Sequence, residues 1–198
     1  VKTLDTLKFA RKIPISGTRA NDHQGVLYRA AAGTDSLPTL PLPFLGYIID
    51  LRKSNEIRHK RTNCQTLRYS LNDPDFAAIP RIHRDENVFL SHYQQLKVLS
   101  EPVYLKAREL LLEGFDLVIM CQLGRDRTGI VIDNLLKGFG APLSVRVREA
   151  QETFSLLDTR PDWLEEILTR RDETYLDFQA RNNLAKKAFI TYILEDKI

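Results

Sequence analysis

Leu117-Val118-Ile119-Met120-Cys121-Gln122-Leu123-Gly124-Arg125-Asp126-Arg127-Thr128-Gly129-Ile130-Val131-Ile132-Asp133-Asn134-Leu135-Leu136-Lys137-Gly138 changes character twice along its length. Leu117 to Met120 is a short apolar run of the kind presented by a strand covered on both faces. Ile130, Val131, Asn134, Leu135 and the closing Lys137-Gly138 have the spacing and ending of a helix that buries one face. Cys121 to Gly129 must therefore leave a strand and enter a helix. A loop of that kind turns backbone N–H groups inward, with the positive end of a helix dipole behind them, and so forms a candidate phosphate cradle.

The side chains fit the same reading. Cys121 stands at the strand exit, where amide dipoles and a facing Arg127 favour the thiolate, the nucleophilic form of the residue. Arg127 can fold back across the loop and hold two phosphate oxygens with its planar fork. Gly124 permits a backbone conformation closed to other residues, and Gly129 leaves room where loop meets helix. Thr128 is placed to donate its hydroxyl to the sulfur.

C-x-x-G-x-D-R-T-G after an apolar strand resembles the signature loop of the cysteine-dependent tyrosine and dual-specificity phosphatases. It resembles in particular the bacterial branch whose loop reads H-C-x-x-G-K-D-R-T-G. Two positions depart from that pattern: Met120 stands where the family has His, and Arg125 where the branch has Lys. The family histidine hydrogen-bonds around the loop, so its loss is expected to weaken the hold on the thiolate, with simple packing of the methionine as the other reading. Arg125 keeps the charge and changes its reach.

The resemblance runs from about residue 26 to 185. It implies an α/β fold with a central, mostly parallel sheet flanked by helices and a strand–loop–helix active site. It also implies hydrolysis of phosphomonoesters through a cysteinyl-phosphate intermediate. Cys121 is the expected nucleophile, Arg127 the phosphate-gripping cation and Asp126 the first choice of general acid. Asp73 and Asp75 are alternative acids on a loop after a strand, and the competing reading of Asp126 is a structural salt bridge. Gln122, Leu123, Gly124, Arg125 and Thr128 are the expected substrate-binding residues. The partner is a phosphorylated protein, lipid or small molecule, since the loop recognises only the phosphate. A catalytically weakened phosphate-binding module is the alternative, but a pure binder needs the arginine and not the thiolate.

The whole chain sets bounds on these expectations. Its 198 residues suit one phosphatase domain over 1–198, and 43% hydrophobic with 28% charged residues is a globular composition. A net charge of +3, with basic and acidic residues interspersed, gives no argument for nucleic acid. No apolar run approaches the roughly 20 residues of a membrane span, so no stable membrane insertion is expected. Val1-Lys2-Thr3-Leu4-Asp5 has no signal-peptide core, and a start at Val is expected where leading residues have been removed or left out. Cys64 and Cys121 do not make a disulfide scaffold, and a catalytic thiolate requires a reducing compartment, which points to the cytoplasm. Cys64 is read as a small buried hydrophobe, with trapping of an oxidised Cys121 as the sharper alternative. His23, His59, His83 and His92 show no metal-ligand spacing, so neither metal nor other cofactor is expected.

Outward from the loop, residues 1–25 read as an edge strand or two, and Val26 to Ala30 as another strand. Tyr28-Arg29 is similar to a Y-R-S/A segment of the bacterial branch, with Arg29 expected in a structural ion pair rather than on substrate. Gly46 to Arg52 is the clearest strand away from the loop and is similar to the family's V-I-D-L-R. Asp50 and Arg52 share a face there, and Ser54 is placed to cap the start of a helix after the strand. Thr66 to Leu71 is a further strand. Asn87 to Leu112 is helical with a break at Glu101-Pro102, Leu143 to Leu157 has helical spacing, and two more helices are expected around 162–174 and 183–194. Tyr47, Phe76 and Trp163 are read as core before they are read as pocket walls.

Overall fold

The computed structural model describes residues 8–15, 25–32, 46–56 and 65–196. The chain divides into two compact units, one formed by residues 1–71 and 100–141, the other by 72–99 and 142–198.

The first unit is built on a five-stranded sheet. Its strands are β1 (Lys8–Ile13), β2 (Leu27–Ala31), β3 (Gly46–Asp50), β4 (Gln65–Arg68) and β5 (Asp116–Cys121), in the order β1-β2-β5-β3-β4. Only β1 runs antiparallel to its neighbour, and every other pairing is parallel. The α/β fold with a central, mostly parallel sheet is therefore the one the loop motif implied.

β5 is the middle strand, and its apolar run is buried from Leu117 to Cys121. Period-two alternation divides it between the two faces. Val118 and Met120 join Ala30, Ala32 and Ile48 in one apolar cluster, against which Ala10 and Tyr28 also pack. Leu117, Ile119 and Cys121 point to the other face. Met120 is thus a core side chain with no exposed surface, as the packing reading of that position requires.

Two helices of this unit, α3 (Glu101–Leu112) and α4 (Asp126–Gly138), pack on β5 and on each other. Pro102 sits in the first turn of α3, where the missing N–H costs nothing. At the far end of α4, a Cβ on Gly138 would come within 2.5 Å of the Tyr104 hydroxyl of α3, so a larger residue there would have to displace that ring.

The second unit is helical: α1 (Pro74–Ala78), α2 (Glu86–Leu99), α5 (Leu143–Asp158), α6 (Asp162–Arg170) and α7 (Tyr175–Glu195). α7 packs against α2, α5 and α6. Its Phe189 ring meets Tyr93 of α2 edge-on at 4.8 Å and Phe154 of α5 at 5.9 Å, geometries that aromatic quadrupoles favour.

Several boundaries differ from the sequence reading. Residues 1–25 contribute β1, and the remaining expected strand lies outside the described residues, as does the proline-bearing segment 37–44. Ser54 begins a single 3-10 turn, Ser54–Glu56, rather than capping a helix; the side chain reaching back to the backbone is that of Glu56, which accepts from the Lys53 N–H at 2.7 Å. Asp73 and Asp75 do not lie on an open loop: Asp73 is the N-cap of α1 and accepts from the Phe76 N–H at 3.0 Å, with Pro74 and Asp75 in the first turn. α6 stops at Arg170 because Asp172 takes a positive φ of 49°. α7 starts at Tyr175, eight residues before the expected Asn183, because Thr174 caps it through the Asp177 N–H.

Candidate active site

The C-terminal ends of parallel strands form a ligand-binding edge where strand order reverses, and β5 ends there between β2 and β3. Its last backbone groups are fixed from both sides. The Met120 carbonyl accepts from Leu51 N–H at 2.9 Å, and the Cys121 carbonyl from Ala32 N–H at 2.9 Å. Cys121 is buried, with a free thiol.

From Cys121 the chain turns through Gln122, Leu123, Gly124 and Arg125 into α4. Gly124 has φ of +64°, and a Cβ there would stand 2.7 Å from the Ala30 carbonyl oxygen, so both conformation and space require glycine. The helix begins at Asp126, and its first N–H groups have no intrahelical acceptor. A helix start of this kind, with its free N–H groups and the positive end of the dipole, favours an anion.

Arg127 does not hang free across the loop. Its Nη1 donates to the Leu51 carbonyl at 3.0 Å and to Glu56 Oε2 at 2.7 Å, and its Nη2 donates to Glu56 Oε1 at 2.9 Å. Burial works against its charge, but Cys121, the bonded Glu56 carboxylate and Asp126 outweigh burial and hold the guanidinium above its ordinary value. Burial likewise disfavours the Glu56 carboxylate. The bonds and charge of Arg127, with the Lys53 N–H and charge, hold it below its ordinary value instead.

Glu56 is the residue the sequence reading missed. Its signal was faint: a lone glutamate in a short polar turn, 71 positions from its partner in the chain. The turn itself follows the V-I-D-L-R-like strand, and Asp50 and Arg52 there form a buried bidentate pair with each other, at 3.0 Å for both contacts.

Arg125 forks onto its neighbour, with Nε to Asp126 Oδ1 and Nη2 to Oδ2 both at 2.9 Å. The salt bridge weighed against an acid role for Asp126 is therefore present, made within the loop. Thr128 is buried and its Oγ1 has no hydrogen-bond partner, so the expected donation to the sulfur is not made in this state. Arg29 donates from Nη2 to the Gly124 carbonyl.

The tyrosine phosphatase family matches residues 23–182. This chain belongs to it. Phosphatase activity is what membership of the tyrosine phosphatase family carries, and the matched span contains the whole loop from Cys121 to Gly129. No curated protein matches the sequence.

In the second unit of this phosphatase, Asp73 Oδ2 lies 2.7 Å from His92 Nδ1, and both side chains are almost wholly buried. Burial would raise the Asp73 carboxyl, but the His92 bond, the N–H of Phe76 and the His92 charge hold it below its ordinary value. Asp75 is exposed. Phe76 stacks on His92 at 3.8 Å and Tyr47 packs edge-on against Phe115 at 5.3 Å, both as packing residues. Cys64 lies outside the described residues. Among the described residues, no three His, Cys, Asp or Glu side chains group as metal ligands, and no helix is long and apolar enough to cross a membrane.

Proposed function

We propose that the protein hydrolyses phosphomonoesters in two steps through a phosphate ester of Cys121. Cys121 Sγ attacks phosphorus in line, and the bond to the leaving oxygen breaks as the S–P bond forms. Arg127 and the N–H groups at the start of α4 stabilise charge on the equatorial oxygens, where preorganised donors contribute most. Water then displaces the thiolate from phosphorus and releases inorganic phosphate. The observation carrying this reading is the convergence of a buried Cys121 and an anchored Arg127 on one helix N-terminus, in a chain of this family.

Asp126 is the proposed acid. The resting carboxylate is paired with Arg125, which favours its charged form. A dianionic phosphate entering the loop competes for Arg125, and as the guanidinium turns to the phosphate Asp126 is released to take up and deliver a proton. Thr128, buried and unpartnered, is suited to donate to Sγ when the thiolate must leave in the second step. Gln122, Leu123, Gly124 and Arg125 line the phosphate position in this scheme.

Phosphotyrosine, a phosphoinositide and a phosphorylated small metabolite all present the group such a loop recognises. The family match runs through both compact units, which supports reading 1–198 as one phosphatase domain. Dependence on a thiolate favours a reducing compartment such as the cytoplasm. Retention of both Cys121 and Arg127 weighs against a pure phosphate-binding role. A phosphate ester that releases a coloured phenol tests the reading: turnover by the protein and none by Cys121→Ser is expected, and equal turnover by both would overturn it.

A further inference from the structure

Arg29 is a buried cation on β2, 3% exposed, and the phosphatase chemistry above makes no use of it. In the parallel register Arg29 pairs with Ile119 and Ala31 with Cys121. Paired residues of neighbouring strands point to the same face, so Arg29 lies on the Cys121 face of the sheet, one repeat below the nucleophile. From there its Nη2 donates to the carbonyl of Gly124, 95 residues away. We propose that Arg29 is a positioning residue for the phosphate cradle, acting through the peptide between Gly124 and Arg125.

The physical argument is about one peptide plane. A trans peptide directs its C=O and N–H in opposite directions. A carbonyl facing a bound phosphate would repel it, and an N–H facing it would bind it. The Arg29 guanidinium holds the Gly124 carbonyl, which turns the Arg125 N–H of the same peptide away from Arg29 and, in the proposed cradle, toward the phosphate. Gly124, at φ +64°, has two orientations of this plane within reach that a residue with a Cβ would not share equally. A charged donor selects between them more firmly than a neutral one, because charge-assisted bonds are about twice as strong.

β2 holds the same loop at two further points. The Ala30 carbonyl oxygen stands 2.7 Å from where a Cβ of residue 124 would be, and the Ala32 N–H donates to the Cys121 carbonyl at 2.9 Å. Residues 29, 30 and 32 of this strand and the position after it thus meet the loop or its first residue. The guanidinium also places a fixed positive charge behind the anion site.

This role rests on the loop being a phosphate cradle, and the test separates the two. Binding of inorganic phosphate and the pH dependence of Cys121 alkylation are measured for the parent, Arg29→Met and Arg29→Lys, alongside thermal melting. Arg29→Met removes the donor and keeps the apolar stem; it should weaken phosphate binding on the order of 10-fold, because a charge-assisted bond is lost, and move alkylation to higher pH. kcat/KM should fall by more than phosphate binding does. Arg29→Lys keeps a cation and a donor and should bind phosphate within about threefold of the parent, the remaining loss reflecting the missing fork. If Arg29→Met does not fold, Arg29→Gln, a neutral donor, replaces it in the same comparison. A variant that melts earlier but binds phosphate and alkylates as the parent does would overturn the positioning role and leave the cradle standing. Failure of the parent itself to bind phosphate would overturn both.

Discussion

Glu56 accepts from both ends of the Arg127 guanidinium, at 2.7 Å from Nη1 and 2.9 Å from Nη2. A third donation, from Nη1 to the Leu51 carbonyl at 3.0 Å, ties the arginine to a residue whose own N–H holds the end of β5. The arginine is thereby oriented in advance, the condition under which an electrostatic donor costs no reorganisation during reaction.

Glu56→Gln should lower kcat/KM on the order of 10-fold, because one carboxylate oxygen becomes a second donor facing Arg127 and the fork loses its frame. Arg127→Lys should cost on the order of 100-fold, since a point charge cannot replace a bidentate fork. Steady-state kinetics on the coloured ester checks both. A loss under threefold for Arg127→Lys would remove Arg127 from the phosphate.

Acid should destabilise the fold through carboxylates held below their ordinary values, among them Glu56 and Asp73. Each takes up a proton less readily folded than unfolded, so protonation favours the unfolded chain. Their contribution is complete above the ordinary carboxylate values of 4.5 and 3.8 and is lost as pH falls through the lower folded values. Urea midpoints of the parent and Asp73→Asn, taken at neutral pH and again in the acid range, should converge as pH falls. A gap that widens in acid would contradict the sign.

Met120→His should destabilise the protein without changing the pH dependence of Cys121 alkylation. The methionine is fully buried among Ala30, Ala32, Ile48 and Val118, and an imidazole placed there without hydrogen-bond partners costs about 1–3 kcal/mol. Alkylation profiles that separate between the two forms would restore the chemical reading of this position.

Asp126→Asn should matter in proportion to how poor the leaving group is. With an alkyl phosphate, whose alkoxide departs badly unprotonated, the loss should be on the order of 100-fold or more; with a nitrophenol-type ester it should be small. Equal losses on both would leave Asp126 as the salt-bridge partner of Arg125 and nothing more.

The parts of this site that were legible in sequence are those within one strand–loop–helix segment. Cys121, Gly124, Arg127 and Thr128 lie close enough in the chain for spacing to speak for geometry, and the apolar run of β5 marks the sheet centre. Glu56 and Arg29 were not legible as loop partners, because sheet order brings β3 and β2 beside β5 and no local pattern encodes that order. A charged residue inside the β2 strand, Tyr28-Arg29-Ala30-Ala31, was the available hint for Arg29. α1 escaped notice although Asp73-Pro74 is a helix-start signature, because the short helix has no periodic apolar face. The late start expected for α7 has the same kind of cause: Thr174 and Asp177 cap it through a side chain, while apolar periodicity strengthens only further along.

The central claim is that phosphate passes through the sulfur of Cys121. Mixing the protein with a fast-leaving phosphate ester, quenching in acid within the first turnover and mapping peptides by mass spectrometry should show phosphate on Cys121. The amount should rise when Thr128→Ala slows departure of the thiolate in the second step. Turnover in the same samples with Cys121 unmodified at every time, or with phosphate on another residue, would contradict the account.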